Sequence, residues 1–241
     1  MAGEFDAFSD GAPESIRRRM ALALDVDDVV EARRLARSLR PWFGVAKVGL
    51  ELFSAAGPEA IEAMVGDGFA VFADLKLLDI PTTVNKSARV MGSLGVSYLT
   101  VHTRAGVDHL RAGVEGVAEG AAAAGLEAPT CLGITVLTSE PADLGALEQR
   151  VGIVLAAECG GLVCAASDLE RVRSLAPDVV TVVPGIRPIG VGVDDQARPA
   201  TPRSAIESGA DVLVIGRAVT HADDPIEAAI AIATEVAASQ G

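Results

Sequence analysis

From about residue 20 to its end, this chain alternates short, continuous, β-branched apolar runs with longer amphipathic stretches. The runs read as strands at 21–25, 45–48, 71–75, 98–101, 131–135, 161–164, 179–183 and 212–215. Helical patterns occupy 28–39, 58–65, 84–94, 107–124, 146–158, 169–175, 202–208 and 225–238. Runs without polar alternation suit strands buried on both faces. Parallel neighbours need a crossover, and a helix after each strand supplies it. The prediction is a single-domain (β/α)8 TIM barrel over 20–241, with a doubly wound open sheet as the alternative. Residues 1–19 are polar and small, and read as an N-terminal extension with one short helix under the barrel.

Composition narrows the function. The net charge of −13 and pI near 4.6 disfavour a nucleic-acid binder, which needs a basic surface. Cys131, Cys159 and Cys164 are odd in number and lack CxxC spacing, so neither a disulfide framework nor a zinc site is expected. Glu4, Asp6 and Asp10 precede Arg17–Arg19, the wrong order for a secretory signal, and no apolar run is long enough for a membrane span. These features predict a cytoplasmic protein without metal, cofactor or membrane partner.

Asp74-Leu75-Lys76-Leu77-Leu78-Asp79 closes the third apolar run. Strand alternation puts Asp74 and Lys76 on one face. The chain has three lysines among twenty basic residues, the other seventeen being arginine. An ammonium can transfer a proton, which a guanidinium does not do readily. In a barrel, reactive side chains gather at the C-terminal strand ends. Those ends carry Asp25, Lys47, Asp74 with Lys76, His102, Thr138, Arg187 and Arg217. Each has a plainer reading too. Asp25 suits an N-cap for the helix near Asp28, Lys47 a surface charge, and Asp74, Lys76 and Asp79 an ion-pair network. His102 reads as structural, Thr138 as a loop hydroxyl, and Arg187 and Arg217 as rim salt bridges. Loops after strands seven and eight often bind phosphate, and Arg187, Gln196, Gly216 and Arg217 fall there. Gly190 and Gly192 give the seventh loop the composition of a lid.

Taken together, these residues resemble orotidine 5′-phosphate decarboxylases over nearly the whole chain from Met20. The matching pieces are Ala23-Leu24-Asp25, Lys47-Val48-Gly49, Asp74-x-Lys76-x-x-Asp79-Ile80-Pro81-x-Thr83, Leu137-Thr138-Ser139, Pro184-Gly185-Ile186-Arg187-Pro188, Asp195-Gln196 and Ile215-Gly216-Arg217. The Asp-x-Lys-x-x-Asp run is shared with other barrel enzymes; the Pro-Gly-Ile-Arg-Pro and Asp-Gln blocks make the match specific. The resemblance implies a carboxy-lyase that converts orotidine 5′-monophosphate to uridine 5′-monophosphate and CO2, the last step of de novo pyrimidine biosynthesis. It implies Lys76 as proton donor to C6, flanked by Asp74 and by Asp79 of a neighbouring subunit. Asp25 and Lys47 would hold ribose hydroxyls, and Thr83 from the neighbour would touch the ligand. Thr138 would lie near the pyrimidine, while Gln196, Gly216 and Arg217, with Arg187 beside them, would grip phosphate. A homodimer with shared sites follows. Thr82, where Asn is usual, Thr103-Arg104 after His102, and a short segment between Thr138 and Gly161 depart from the pattern.

Three other readings use the same residues. A metal-dependent sugar-phosphate enzyme would employ Asp74 and Glu51 for Mg²⁺. A Schiff-base aldolase would use Lys47 or Lys76, although flanking carboxylates favour a charged, poorly nucleophilic amine. A non-catalytic nucleotide-binding barrel would bind without turnover.

Overall fold

The computed structural model describes residues 8–136, 144–188 and 200–239. Its strands are β1 Met20–Ala23, β2 Val45–Val48, β3 Ala70–Leu77, β4 Tyr98–His102, β5 Thr130–Ile134, β6 Gly161–Val163, β7 Val180–Val183 and β8 Val212–Ile215. They pair in parallel and in sequence order, and β8 returns to β1 to close the ring. The open-sheet alternative is therefore excluded.

The helices begin with α1 Glu14–Arg17, α2 Val29–Leu39, α3 Leu50–Ala56, α4 Pro58–Gly66, α5 Pro81–Ser93 and α6 Val107–Ala123. They continue with α7 Leu144–Ala156, α8 Leu169–Leu175, α9 Pro202–Glu207, α10 Arg217–Thr220 and α11 Pro225–Ala238. Two packed layers result. Ala21, Ala23, Val45, Phe72, Leu132, Val182, Val212 and Val214 point inward and fill the lower barrel. Residues of opposite parity, such as Leu22, Val71 and Leu213, join the larger core between strands and helices. The inner positions are mostly Ala and Val, so the barrel closes on small side chains; Phe72 meets Tyr98 edge-on at 6.0 Å.

The bottom of the barrel is clasped by main-chain and guanidinium bonds. Arg17 O accepts from Gly44 N at 2.8 Å, tying the segment after α1 to the entry of β2. Arg173 donates to the carbonyls of Pro177, Val179 and Gly209, and to Asp211 Oδ2 at 2.6 Å. Polar groups at this end are thus consumed by structure, which leaves the opposite rim for chemistry.

Helices α5 and α6 meet at backbone distance. A Cβ on Gly120 would lie 1.9 Å from Arg89 O, and one on Gly116 would lie 2.3 Å from Asn85 O. Only glycine permits that approach. The seam matters because α5 follows the loop that carries Asp79. Among the described residues no helix is long and apolar enough to cross a membrane.

Candidate active site

A cavity of about 240 Å³ opens at the C-terminal ends of the strands. Among the described residues its charged lining is Asp25, Lys47, Asp74, Lys76, Arg187 and Arg217. Among these described residues four cations face two carboxylates, a surplus of two positive charges in a chain whose net charge is −13. Such a pocket selects an anion.

On the β1–β3 side, acids and ammoniums alternate. Lys47 Nζ donates to Asp25 Oδ1 at 3.0 Å and stands 4.0 Å from Asp74 Oδ2. Lys76 Nζ donates to the same Asp74 oxygen at 2.7 Å. Each neighbour along this chain has the opposite sign, and at an effective dielectric near 20 such a contact at about 4 Å is worth about 4 kcal/mol before desolvation. Lys47 belongs to β2 and is 8% exposed, so it is no surface charge. The register explains its place: Lys47 pairs with Ala23 on one side and Phe72 on the other, at inward-facing positions. Next to it, a Cβ on Gly49 would come within 3.1 Å of Lys47 Nζ and 3.4 Å of Asp25 Oδ1. Asp25 lies beyond the end of β1, and the N-cap of α2 is Asp28, whose carboxylate accepts from Glu31 N. The capping reading of Asp25 is thereby replaced by its bond to Lys47.

Regular strand alternation does not by itself bring Asp74 to Lys76. Ala73 pairs with Leu99 and Leu77 with Val101, so β3 takes four steps (73 to 77) where β4 takes two (99 to 101). Lys76 sits in the left-handed region at φ 49. That conformation costs a non-glycine residue about 1–2 kcal/mol. The bulge is held from β4. Thr100, fully buried, accepts from Lys76 N at 2.9 Å and donates to Asp74 Oδ1 at 3.1 Å. One hydroxyl thus fixes the backbone of the lysine and the carboxylate of the acid. Inside a β-branched run, Thr100 carries no sequence signal beyond strand propensity, and the sequence reading passes it by.

Four strands round the ring, Arg187 and Arg217 line the cavity from the loops after β7 and β8. Arg187 is 8% exposed. Its amide donates to Ala200 O at 2.9 Å, and Ile186 bridges to Ala200, so both ends of the seventh loop are pinned beside it. Gly216 lines the cavity at the N-cap of α10.

A family model described as Orotidine 5′-phosphate decarboxylase / HUMPS family matches residues 18–232. The chain belongs to this family. A curated relative named orotidine 5′-phosphate decarboxylase, from Thermobifida fusca, is 44% identical over 90% of this chain and 95% of its own length. One of the same name from Moorella thermoacetica is 42% identical, over 90% and 92%. Among solved structures, the orotidine 5′-phosphate decarboxylase of Lactobacillus acidophilus superposes with a TM-score of 0.76 at 31% identity, covering 91% of this chain and 99% of that one.

The remaining family positions divide by location. Asp79 and Thr83 are exposed and are not among the residues lining this cavity. Asp79 Oδ1 accepts from Ile80 N at 2.7 Å. Leu78 and Ile80 on either side of it are 53% and 66% exposed, and Val90, further along α5, is 50% exposed. Thr138, Gln196, Gly190 and Gly192 lie outside the described residues. His102 is buried at the end of β4 and is not among the residues lining the cavity. Glu51, the second carboxylate of the metal-dependent alternative, is exposed and likewise outside that lining. Thr103, one of the departures from the family pattern, is buried and donates to Ile134 O at 2.6 Å.

Proposed function

We propose that this chain decarboxylates orotidine 5′-monophosphate to uridine 5′-monophosphate, with Lys76 delivering the proton. The observation that carries the reading is the Lys76 ammonium, held 2.7 Å from Asp74 at one wall of a cavity whose far wall presents Arg187 and Arg217. A nucleotide monophosphate with a ring carboxylate is an anion at both ends, and the pocket has cations at both walls.

The chemistry asks for such a wall. Breaking the C6–carboxylate bond leaves an electron pair in the ring plane, where it cannot spread into the π-system. The uncatalysed barrier calls for stabilisation of roughly 20 kcal/mol, near the upper end for enzymes. A single ammonium contact gives only about 4 kcal/mol, so several preorganised charges must act together. Lys76 attracts the forming carbanion and then gives C6 a proton from Nζ; the neutral amine regains one from water. Asp74 aims the ammonium through its 2.7 Å bond. Lys47 and Asp25 hold the ribose hydroxyls. Arg187, Arg217, Gly216 and Gln196 take the phosphate, and binding there, far from C6, contributes to lowering the barrier. Thr138 packs near the pyrimidine.

The working unit in this reading is a homodimer. Asp79 enters the partner's cavity from the exposed loop after β3 and Thr83 from the first turn of α5, where Leu78 and Ile80 present apolar surface that a second copy would cover. The cytoplasm is its compartment, in keeping with three cysteines present as buried thiols.

The test is the absorbance loss of orotidine 5′-monophosphate with purified protein, in the presence and absence of EDTA. Turnover is expected in both, and a fall of at least about a thousandfold in K76A, the rate equivalent of about 4 kcal/mol. Wild-type-like turnover in K76A would overturn the proton-donor assignment. Loss of turnover in EDTA would favour the metal-dependent reading.

A further inference from the structure

Leu78, Asp79 and Ile80 follow β3 with all three side chains exposed. Burial of those side chains cannot hold the loop in the protomer, yet a residue that must reach another subunit's cavity has to be held. The anchor lies beneath it. His109, in the first turn of α6, is 1% exposed. Its Nδ1 lies 2.8 Å from Asp79 O and its Nε2 lies 3.3 Å from Leu77 O. Both partners are carbonyl oxygens, which only accept. A neutral ring donates to one of them, and an imidazolium donates to both. The ring thus lies between the loop carbonyls on either side of Leu78 and is bonded to at least one of them. The glycine seam between α5 and α6 fixes the helix that bears the ring against the helix that the loop enters.

We propose that His109 is a positioning residue for the partner subunit's active site: through the carbonyls of Leu77 and Asp79 it sets the loop from which Asp79 projects. The proposal rests on the shared-site reading above. It makes an unusual demand, namely that a change at His109 should damage the site of the other protomer and leave its own intact.

H109F keeps the ring volume and removes both ring nitrogens, and with them every N–H that faces the two carbonyls. It is expected to fold and to lose about tenfold to a hundredfold in kcat/KM, the scale set by an ångström of misplacement. The decisive arm mixes H109F with K76A under conditions that reassort subunits. A mixed dimer then owns one site with the intact Lys76 of the H109F chain and the correctly held loop of the K76A chain. With random pairing, activity should recover to about a quarter of the wild-type rate per protomer. A D79A and K76A mixture is run beside it. If that control recovers and the H109F mixture does not, the shared site stands and His109 acts only as a core residue, which overturns the proposal. If neither recovers, the shared-site reading falls and takes the proposal with it. Wild-type turnover by H109F alone would also overturn it. Should circular dichroism show H109F unfolded, H109Q, whose amide donates one N–H, takes its place in the mixture. The same recovery is then expected from a smaller initial loss.

Discussion

Replacing Thr100 by valine should disable the site without touching a charged residue. The side chain keeps its shape and loses its hydroxyl. That hydroxyl's two shorter bonds join it to Lys76 N and Asp74 Oδ1, with Ala73 O a more distant acceptor at 3.5 Å. Each is worth about 1 kcal/mol net, and a backbone N–H left unpaired near the interior costs about 1–3 kcal/mol more, so the loss should total about 3–5 kcal/mol. For a chain of this size that corresponds to a fall in Tm of roughly 6–20 °C. Activity should suffer separately. Lys76 occupies a left-handed conformation, and without the Thr100 bond β3 is free to relax towards a regular strand and draw the ammonium away. A drop in kcat of about tenfold to a hundredfold is expected at temperatures where the variant remains folded. The assay pairs thermal unfolding by circular dichroism with turnover at 25 °C. A variant within about 2 °C in Tm and about twofold in kcat would show that the bulge holds itself, and the argument from Thr100 would fail.

Other expectations are independent of that one. R217A should weaken binding of uridine 5′-monophosphate by at least about tenfold while leaving the weak binding of uridine unchanged, because only the nucleotide carries the phosphate; calorimetry showing equal losses would remove Arg217 from the phosphate site. Asp67 takes four N–H bonds from Arg33 and Arg37, and these guanidinium bonds hold its carboxyl well below the usual carboxylate range. Its folded pKa lies below the unfolded value near 3.9, so the stabilisation is fully present above about pH 5 and disappears as pH falls through the depressed value. D67N should therefore cost about 1 kcal/mol at pH 7, discounted because both arginines are substantially exposed, and approach wild type in strong acid; a gap that is constant in denaturant titrations down to pH 2 would contradict this. G120A gains about 1 kcal/mol in helix propensity, but its Cβ would meet Arg89 O at 1.9 Å. Forcing the helices apart should win, for a net loss of about 1–3 kcal/mol; an unchanged or raised urea midpoint would refute the seam.

The architecture was legible because it rests on one-dimensional periodicity. Val45–Val48 and Val212–Ile215 agree with the sequence reading residue for residue, since β-branched runs bounded by glycine and polar residues leave little choice. The misses have physical reasons. Helix α5 begins at Pro81, three residues earlier than read, because proline at N1 starts a helix instead of preceding one. Helix α3 was overlooked between Gly49 and the Gly57-Pro58 break, where seven residues are too few for a periodic signal. Strand β1 stops at Ala23, so Asp25 reaches its partner from a loop. In the candidate site, the charged residues could be named because charge at a strand end is conspicuous. Thr100 and His109 could not, since each bonds to a segment more than twenty residues away in the sequence, and only the pairing of β4 with β3 and the packing of α6 under the following loop bring those atoms within reach.

The irregularity in β3 also limits how this site could be transplanted. Grafting an aspartate and a lysine two residues apart onto a flat strand of another barrel would copy the letters and lose the geometry. The recipient would need a host strand that accommodates two surplus residues, a left-handed lysine, and a buried hydroxyl on the adjacent strand facing both. What a designer must move is a fold in the ribbon, and the two side chains come along as its passengers.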